Sequence, residues 1–523
     1  MTQAGMPTVV VRLPRPYLQG SCPVPCGSST LRLINRLQLL KEVAMHVAEL
    51  LPEIEAFRDC QIEGLTDDSR QVANGDLFLA VAGHETDGRQ FVADALDRGA
   101  RLVIAQSPFD TSGYDNVLVM PELDLRRGEI AARYHHHPSR EMLVCAVTGT
   151  NGKSSVTHYV AQSLNALSRP CGIVGTLGVG MIGDLIDLGS TTPGALTLQQ
   201  TLASLRDGNA QAVSIEASSH GLDQGRLLGC EVDVAVLTNI SNDHLDYHGS
   251  FDAYKQAKFS LFDLPTVRHW IVNVDDASGR ELIGRAAHPV NVVRFSLTND
   301  VDSDVHVLRS SFRRDGIEAQ VQTPWGTLAL HMSLLGKFNL SNVLATVGVL
   351  GALGYSLTDI ERSIRDLQPV IGRMQVFHVE NGPTVVVDYA HTPDALSQAL
   401  DAVKLHVSGR MVCVFGCGGD RDVDKRPMMG QAAAQMADHI VLTDDNPRTE
   451  PASQIIKAIR DGVPDGHSVE VIADRAEAIT RTITGANEGD VVLIAGKGHE
   501  EYQIIDGQRY SHSDIALVRA LEA

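Results

Sequence analysis

Residues 148–154 form a glycine-rich turn that carries a lysine and a hydroxyl in the arrangement of a phosphate-binding loop. An apolar run over residues 143–147 precedes the turn, and a helix-like segment follows it. Backbone N–H groups of such a turn bind phosphate together with a helix N-terminus, while Lys153 adds a positive charge and the Ser154 hydroxyl is placed to bind Mg²⁺. We therefore predict a nucleoside-triphosphate site. Val147 stands where the usual P-loop has a glycine, so an ordinary strand–turn–helix connection stays open from this segment alone.

Two further strand ends place metal-binding side chains near this loop. Glu216 follows the apolar run 212–215, and His244 lies in the polar segment after residues 232–237. The carboxyl ends of parallel strands lie at one edge of a sheet, where ligands bind. Mg²⁺ prefers oxygen ligands, so we predict Ser154 and Glu216 as ligands of one ion and His244 as a ligand of a second. Each residue alone also fits a plainer role, as a paired structural carboxylate or a histidine at a helix start.

A second series of strand-like runs ends in loops rich in charged groups. Arginine in such loops binds carboxylates in a bidentate manner, and aspartate or glutamate accepts from an ammonium group. A site with both kinds of group suits a zwitterionic amino acid. Any one of these loops alone is better explained as a surface ion-pair network. The residues in question are Arg421, Asp445, Arg448 and Glu500.

The elements that must position these residues alternate between short apolar strands and helices. This pattern predicts an α/β fold with parallel sheets and crossover helices. We expect three domains: a tail with a smaller N-terminal α/β domain over residues 1–122, a central domain with a P-loop-type parallel sheet over 123–369, and a C-terminal domain with a Rossmann-like doubly wound sheet over 370–523. A further helix is expected near residues 37–51.

Composition restricts the class of protein. The 523 residues carry 44 basic and 64 acidic side chains, a net charge of −20, which argues against a general nucleic-acid-binding protein. The eight cysteines show no zinc-type pairing of Cys-x-x-Cys motifs, which fits a reducing compartment. No apolar run approaches 18 residues and the N-terminus lacks a signal-peptide layout, so we expect a cytoplasmic enzyme without membrane insertion.

A series of motifs resembles those of the Mur ligases, the ATP-dependent enzymes that add amino acids during peptidoglycan synthesis. They are TGTNGKSS at residues 148–155, DHLDYHG at 243–249, YKQAK at 254–258, GKFNLSN at 336–342, DYAHTPDAL at 388–396, GGDRD at 418–422 and GKGHE at 496–500. The resemblance covers nearly the whole chain after about residue 58. It also explains Val147, because the phosphate loop of this family lacks the earlier glycine. Residues 445–448, Asp-Asn-Pro-Arg, resemble the signature of members that add meso-diaminopimelate, and lysine-adding members differ at the arginine position.

The resemblance implies binding roles in all three domains. The UDP part of a sugar nucleotide would be bound by Asp67, Ser69, His84, Glu85 and Thr86. The muramoyl peptide would be bound by Thr191, Thr192, Ser218, Gln224 and Arg226. ATP would be bound by Thr148, Gly149, Thr150, Asn151, Gly152, Lys153, Ser154, Ser155, Asn342 and Arg373. Diaminopimelate would be bound by Arg421, Asp445, Asn446, Pro447, Arg448, Gly496 and Glu500.

The resemblance also implies the reaction, with ATP as co-substrate and Mg²⁺ as cofactor. The γ-phosphate would pass to the D-Glu side-chain carboxylate of UDP-MurNAc-L-Ala-D-Glu, and an amine of meso-diaminopimelate would attack the acyl phosphate. The implied catalytic residues are Lys153, Glu216, His244 and Lys258, and the implied metal ligands are Ser154, Glu216, His244 and Lys258. Lys258 matches the lysine that this family carbamylates with CO₂, which turns a cation into a carboxylate-like ligand.

Other functions stay open at this point. The same ligation with L-lysine is the nearest alternative, although Asp445 and Arg448 argue against it. A folylpolyglutamate-synthase-like ligase would leave the N-terminal sugar-nucleotide loop unexplained. A P-loop kinase, or a binding protein that keeps the fold without ligase activity, is a candidate from another class. We expect a monomer.

Overall fold

The computed structural model describes residues 44–83, 86–286, 290–299, 302–313 and 316–522. The strands are β1 Met45–His46, β2 Gln61–Ile62, β3 Gly64–Thr66, β4 Asp76–Ala80, β5 Leu102–Gln106, β6 Val117–Met120, β7 Leu143–Thr148, β8 Cys171–Gly175, β9 Gly178–Met181, β10 Asp184–Ile186, β11 Ala212–Glu216, β12 Val234–Leu237, β13 His269–Asn273, β14 Asn291–Ser296, β15 Val305–Arg313, β16 Gly316–Thr323, β17 Gly326–Met332, β18 Gln375–His378, β19 Thr384–Asp388, β20 Met411–Phe415, β21 His439–Leu442, β22 Val469–Val471, β23 Val491–Ala495, β24 Tyr502–Ile505 and β25 Gln508–Ser511. The α-helices are Val47–Leu50, Val92–Asp97, Leu123–Tyr134, Lys153–Ala166, Ala195–Asp207, Ser219–Asp223, Leu245–His248, Phe251–Phe259, Ala277–Ile283, Lys337–Ala352, Leu357–Arg365, Pro393–Lys404, Lys425–Met436, Ala452–Arg460, Arg475–Gly485 and Asp514–Leu521.

The largest sheet has eleven strands, in the order β10-β9-β8-β11-β7-β12-β13-β14-β15-β16-β17. The seven central strands, β8-β11-β7-β12-β13-β14-β15, run parallel. Antiparallel strands extend the sheet at both ends, β9 and β10 at one and β16 and β17 at the other. Alternate side chains of β7 pack into hydrophobic cores on opposite faces of the sheet. Cys145 and Val147 pack with Val156 of the following helix, whereas Val144 and Ala146 pack with Leu198 on the opposite face. The central strands are therefore covered on both faces, as an apolar parallel sheet requires.

The register of this sheet brings three loops together. Glu216 at the end of β11 pairs with Val147, and Leu237 at the end of β12 pairs with Thr148. The segments that follow β7, β11 and β12 therefore leave the sheet side by side. This is the carboxyl edge at which ligands bind in α/β folds.

A six-stranded sheet follows, in the order β18-β19-β23-β20-β21-β22, and it is parallel except for β18. Asp388 pairs with Ala495, so the loops after β19 and β23 also share an edge. A four-stranded parallel sheet, β3-β4-β5-β6, lies nearer the N-terminus. The expected α/β architecture with several sheets is confirmed, and the proposed boundaries at residues 122 and 369 stay predictions.

The helix expected near residues 37–51 is wrong for the described part of that range. The chain there forms β1 and one short helix, Val47–Leu50. Met45 pairs with Ile62 across β1 and β2, and the N–H of Val47 donates to Cys60 O at 2.9 Å. Hydrogen bonds to a distant segment override the local helical pattern. Residues 37–43 lie outside the described residues.

Within the described ranges, no helix is both long enough and apolar enough to cross a membrane.

Candidate active site

Two lysine ammonium groups meet at the backbone of the glycine-rich loop after β7. Lys153 Nζ donates to the carbonyl oxygens of Gly149 at 2.9 Å and Thr150 at 2.8 Å. Lys258 Nζ donates to the same Gly149 oxygen at 2.8 Å, and its side chain is almost fully buried. Two cations that share one neutral acceptor repel each other. The loop therefore concentrates positive charge that an anion would neutralise.

Burial shifts the pKa of three groups around this loop. It lowers the pKa of Lys153, and the carboxylate of Glu216 acts in the opposite direction. Burial, followed by the charge of Lys153, holds the pKa of Lys258 well below its usual range. Burial raises the pKa of Glu216, while Lys153 lowers it. Both lysines are thus moved toward the neutral amine, because removing a charge from water is costly unless it is paired.

Glu216 ends β11 with its carboxylate directed at the phosphate loop. Ser154 Oγ donates to Glu216 Oε2 at 2.9 Å. The N–H of Thr176 donates to Oε1 at 3.0 Å, and Thr176 Oγ1 donates to Oε2 at 3.2 Å. These contacts fix the carboxylate beside the Ser154 hydroxyl, where both oxygens face the same cavity.

The oxygens of Ser154 and Glu216 fit a hard cation such as Mg²⁺. Protein sites for Mg²⁺ commonly supply only one or two side-chain ligands and leave the other positions to phosphate oxygens and water. Across the described ranges, no three His, Cys, Asp or Glu side chains are grouped closely enough to hold a metal ion by themselves. The donor set therefore suits an ion that arrives with a nucleotide rather than one held by protein ligands alone.

His244 lines the same cavity at the start of the helix Leu245–His248. Its backbone has a left-handed conformation, with φ of 51°. Such a conformation is uncommon for a residue other than glycine and often marks a functional position. The His244 ring packs edge to face against His220, with 4.8 Å between the ring centroids. Its role as a metal ligand stays a prediction.

A cavity of about 300 Å³ lies above the phosphate loop. The central domain lines it with residues 150–155, Lys258 and Asn342, and residues after β17 contribute Arg373 and Asp388. The cavity is therefore lined by residues of both larger sheets. Asn342 and Arg373, which were expected to contact the nucleotide, both face this space.

The residues expected to bind the muramoyl peptide form a connected network beside Glu216. Thr192 Oγ1 donates to Glu216 O at 2.7 Å and accepts from Ser218 N at 3.0 Å. Arg226 donates to Thr192 O at 2.5 Å and to Gln224 Oε1 at 2.6 Å. Thr191 extends the network, since its hydroxyl lies 3.0 Å from that of Thr176. The structure thus brings together Thr191, Thr192, Ser218, Gln224 and Arg226, and their ligand stays a prediction.

The loop after β3 of the four-stranded sheet is linked to this network through charged side chains. Asp67 lies 3.6 Å from Arg127, a residue of the helix Leu123–Tyr134. Arg127 is in turn close enough to Arg226 for its charge to add to burial in lowering the pKa of Arg226. Ser69 is buried in a short 3-10 turn next to Asp67. Thr86 is exposed and its carbonyl oxygen accepts from Gly83 N at 3.1 Å, whereas His84 and Glu85 lie outside the described residues.

The charged loops of the C-terminal sheet converge as expected. Asn446 Nδ2 donates to Glu500 Oε2 at 3.0 Å, although the two residues come from different strand ends. Arg448, which also has a left-handed backbone, donates to Gly419 O at 2.8 Å. A Cβ atom at Gly496 would lie 2.6 Å from Asp445 Oδ2, so these two loops touch. Pro447 lies between Asn446 and Arg448 in the same loop, and Arg421 is exposed.

One aromatic ring connects these loops with the nucleotide cavity. The Arg373 guanidinium lies 4.7 Å from the centroid of the Tyr389 ring. The His499 ring packs on Tyr389 at a centroid distance of 5.5 Å. Because Arg373 lines the cavity and His499 precedes Glu500, the two candidate sites are neighbours in one cleft.

Sequence reasoning missed several polar groups in the cleft. Thr176 binds both oxygens of Glu216, Tyr254 OH lies 2.9 Å from Thr150 Oγ1, and Lys497 is fully buried beside Asn446 and Glu500. Lys497 carried a usable signal, because a lysine between two glycines at a strand end resembles the Lys153 position. Thr176 and Tyr254 carried none, since a threonine after a strand or a tyrosine in a helix is common.

Three family models match the chain along its length. The model described as the Mur ligase family catalytic domain matches residues 61–135, the Mur ligase middle domain matches 147–350, and the Mur ligase glutamate ligase domain matches 372–498. The three matches follow one another and fall on the three main sheets.

Individual relatives are similar over most of their length. The UDP-N-acetylmuramoyl-L-alanyl-D-glutamate--2,6-diaminopimelate ligase of Pseudomonas aeruginosa is 48% identical over 483 residues, which is 92% of this chain and 98% of that protein. The enzyme of the same name from Ectopseudomonas mendocina is 47% identical, with 92% and 98% covered. A solved structure of a UDP-N-acetylmuramoyl-L-alanyl-D-glutamate--2,6-diaminopimelate ligase superposes with a TM-score of 0.74 at 37% identity, covering 92% of this chain and 99% of that one.

Proposed function

The chain belongs to the Mur ligase family, and on that premise we propose that it ligates meso-diaminopimelate to the D-Glu side-chain carboxylate of UDP-MurNAc-L-Ala-D-Glu. It is an ATP-dependent amide-forming ligase. The observation that carries the choice of substrate is the 48% identity, over 92% of the chain, to an enzyme named for this reaction. The Asp-Asn-Pro-Arg sequence at residues 445–448 supports the same amine.

The first step transfers the γ-phosphate of ATP to the D-Glu carboxylate. Carboxylate and phosphate are both anionic, so the site must offset their repulsion as they approach. We propose Lys153 for this role, because its ammonium group lies at the phosphate loop, where it donates to the carbonyl oxygens of Gly149 and Thr150. The N–H groups of the loop and of the helix that begins at Lys153 would hold the remaining phosphate oxygens.

Ser154 and Glu216 are the proposed protein ligands of Mg²⁺, with His244 assigned to a second ion. Ser154 Oγ and Glu216 Oε2 lie 2.9 Å apart at the edge of the cavity. A bound Mg²⁺ would supply positive charge at the phosphates. Thr176 would keep the Glu216 carboxylate oriented through its two hydrogen bonds.

We propose that Lys258 acts after carbamylation by CO₂. Only the neutral amine carries the lone pair that attacks CO₂, and burial beside Lys153 lowers the pKa of Lys258 toward that form. The N–C bond that forms, with loss of one proton, turns the side chain into an anionic carbamate. This change would replace the repulsion between the two lysines with attraction and add an oxygen ligand near Ser154 and Glu216.

The second step is attack of an amine of diaminopimelate on the acyl phosphate. We propose that Arg448 and Arg421 bind a carboxylate of the amino acid, while Asp445 and Glu500 accept from its ammonium group. The shared cleft would hold the attacking amine near the acyl phosphate formed in the first step. Much of the catalysis would then come from positioning. The tetrahedral intermediate then collapses to the amide with release of phosphate.

The remaining residues are assigned to the sugar-nucleotide substrate. Asp67, Ser69, His84, Glu85 and Thr86 are proposed to bind the UDP part, and Thr191, Thr192, Ser218, Gln224 and Arg226 the muramoyl peptide. Because ATP and the UDP-linked muramoyl peptide are both water-soluble nucleotides, we propose that the enzyme works in the cytoplasm. We propose that it acts as a monomer.

The proposal is tested by offering the purified chain ATP, Mg²⁺, UDP-MurNAc-L-Ala-D-Glu and one amine at a time, and by measuring phosphate release and the mass of the product. We expect release with meso-diaminopimelate and a product that carries one diaminopimelate residue. Release with L-lysine but not with diaminopimelate would overturn the choice of amine. Phosphate release that requires no amine would argue against ligation.

A further inference from the structure

Lys497 is a fully buried lysine at the end of β23, and the reaction proposed above gives it no role. Its ammonium donates to Asn446 Oδ1 at 3.0 Å and to Glu500 Oε2 at 3.0 Å. The side chain has 0% relative exposure. Lysine is rarely buried to this extent unless its charge is paired. Burying this ammonium group costs desolvation free energy, which its hydrogen bonds to Asn446 and Glu500 must offset.

The hydrogen bonds of Lys497 determine how the Asn446 amide is oriented. Asn446 Oδ1 accepts from Lys497 and also from the N–H of Ile504 at 2.9 Å. With its oxygen held by two donors, the amide must present its NH₂ group to Glu500, and Nδ2 donates to Glu500 Oε2 at 3.0 Å. A neutral side chain at position 497 would remove one of the two donors that set this orientation.

The same lysine determines which oxygen of Glu500 is left for a ligand. Both side-chain hydrogen bonds of the Glu500 carboxylate, from Lys497 and from Asn446, go to Oε2. The second oxygen, Oε1, is left to accept from outside this group of three residues. Glu500 Oε2 is thus bound by the protein, and these hydrogen bonds also fix the direction in which Oε1 points.

We propose that Lys497 is a positioning residue for the amino-acid substrate: it holds Asn446 and Glu500 so that Glu500 Oε1 accepts from the substrate ammonium group. This inference rests on the proposed function, in which Glu500 accepts from an ammonium group of diaminopimelate. Lys497 acts through these two residues and need not touch the substrate. The preceding residue must be glycine, since Gly496 has φ of 115° and a Cβ there would lie 2.6 Å from Asp445 Oδ2.

The test replaces Lys497 by methionine, which has a similar length and no charge. In the full-length enzyme we expect the Lys497→Met variant to raise the KM for diaminopimelate about 10- to 100-fold, which corresponds to losing one charge-assisted hydrogen-bond network. The KM values for ATP and for the UDP-muramoyl peptide should stay within about twofold, because a positioning role affects one substrate only. Lys457→Met is the matched control, since it removes an exposed lysine of the same domain and should leave all three KM values unchanged.

A double variant separates positioning from damage to the fold. Lys497→Met alone leaves Glu500 without its cation, so Lys497→Met combined with Glu500→Gln removes both charges and should restore much of any lost thermal stability. If Lys497 acts through Glu500, the KM for diaminopimelate of the double variant should equal that of Glu500→Gln alone rather than the product of the two effects. Additive effects in this cycle would overturn the proposal.

Two further outcomes contradict the inference. An unchanged KM for diaminopimelate in Lys497→Met, or an equal rise in the KM for all three substrates, would assign Lys497 a structural role only. The wild-type enzyme distinguishes this failure from failure of the proposed function. If the wild type releases no phosphate with diaminopimelate, the function is wrong, whereas an active wild type with an unaffected variant refutes the role of Lys497 alone.

Discussion

At the scale of single residues, the chemistry of the cleft depends on how buried charges are compensated. Gly149 O accepts from both Lys153 and Lys258, and the carboxylates of Glu216 and Asp243 raise the pKa of Lys153 against the effect of burial. Asp243 also raises the pKa of Lys258, but burial and the charge of Lys153 outweigh it. A bound phosphate or a carbamate on Lys258 would balance these charges, which explains why the site tolerates two lysines at so short a distance.

Replacing Lys258 by alanine tests the proposed carbamate. We expect Lys258→Ala to lower kcat by about 10²–10³-fold, since it removes one preorganised group from the charged transition state. Small carboxylates added to the solution should restore part of the activity, because they can occupy the space of the carbamate. The measurement is phosphate release with and without added formate or acetate. Wild-type activity in the variant would contradict a role for Lys258.

Arg448 tests how the amine substrate is recognised. Arg448→Ala removes a guanidinium held near the pocket by its bond to Gly419 O, and we expect the KM for diaminopimelate to rise about 10- to 100-fold. The KM for ATP should change little, because Arg448 does not line the nucleotide cavity. Steady-state kinetics with each substrate varied in turn gives both values. Equal losses for both substrates would refute the assignment.

At the scale of elements, one buried ion pair fixes the strand ends that carry the amino-acid loops. Arg475 and Asp514 have side chains with 0% exposure and lie 2.7 Å apart. Arg475 also donates to Ala495 O at 3.0 Å, at the end of β23. The pair therefore ties the helices Arg475–Gly485 and Asp514–Leu521 to the strand that leads into Lys497 and Glu500.

The same pair predicts how stability depends on pH. Arg475 and the contact with His512 outweigh burial and hold the pKa of Asp514 far below its usual value of 3.8. A depressed carboxylate pKa contributes stability that is fully present above the unfolded value and is lost as pH falls through the folded value. We expect Asp514→Asn to destabilise the domain by about 3–5 kcal/mol at neutral pH, because it leaves Arg475 buried and unpaired.

Urea unfolding of the wild type and Asp514→Asn between neutral pH and about pH 2 measures this dependence. The difference between the two proteins should be constant at neutral pH and should shrink as pH falls below the usual carboxyl range. Arg410, which pairs with Asp490 but is half exposed, supplies a control, and Arg410→Met should cost about 1 kcal/mol or less. A difference that grows at low pH would contradict the assigned sign.

At the scale of the whole molecule, the cleft depends on the junction between the two larger sheets. Leu335, just before the helix Lys337–Ala352, packs in the core of the C-terminal sheet. His406 joins the same junction: its Nε2 accepts from Gly336 N at 3.0 Å, and its Nδ1–H donates to Arg313 O. Because one partner is a donor and the other an acceptor, the ring is held as the neutral Nδ1–H tautomer.

Gly336 provides the test of this junction. Its φ is 86°, and a Cβ atom there would lie 2.5 Å from the Cβ of Ala402 on the opposite side. We expect Gly336→Ala to lower the free energy of unfolding by about 2–5 kcal/mol, from backbone strain and overpacking together. Gly354→Ala is the control, since Gly354 has φ of 83° with no atom within 4 Å of a built Cβ, and should cost about 1–2 kcal/mol. Equal urea midpoints for the two variants would refute tight packing at the junction.

The amino-acid sequence by itself determined the parts of this protein that depend on short segments. The turn at residues 148–154 predicts a phosphate site from its own glycines, lysine and serine. Alternating apolar strands and helices predict parallel sheets from the periodicity of each short segment. The motifs of residues 388–396 and 445–448 identified the family and the amine for the same reason, since each is contiguous in the chain. The fold class and the family were therefore predictable before the structure.

Only the tertiary structure decided which groups meet in the cleft. Lys258 reaches Gly149 across 109 residues of sequence, and Lys497 reaches Asn446 across 51. A lysine in a helix is usually solvated, and nothing in its neighbours along the chain indicates that strand register and domain packing will bury it. The helix predicted near residues 37–51 is wrong over its described part for the same physical reason, because hydrogen bonds to residues 58–62 outweigh the local propensity. Contacts between distant segments thus set the charges of the site, which local pattern cannot specify.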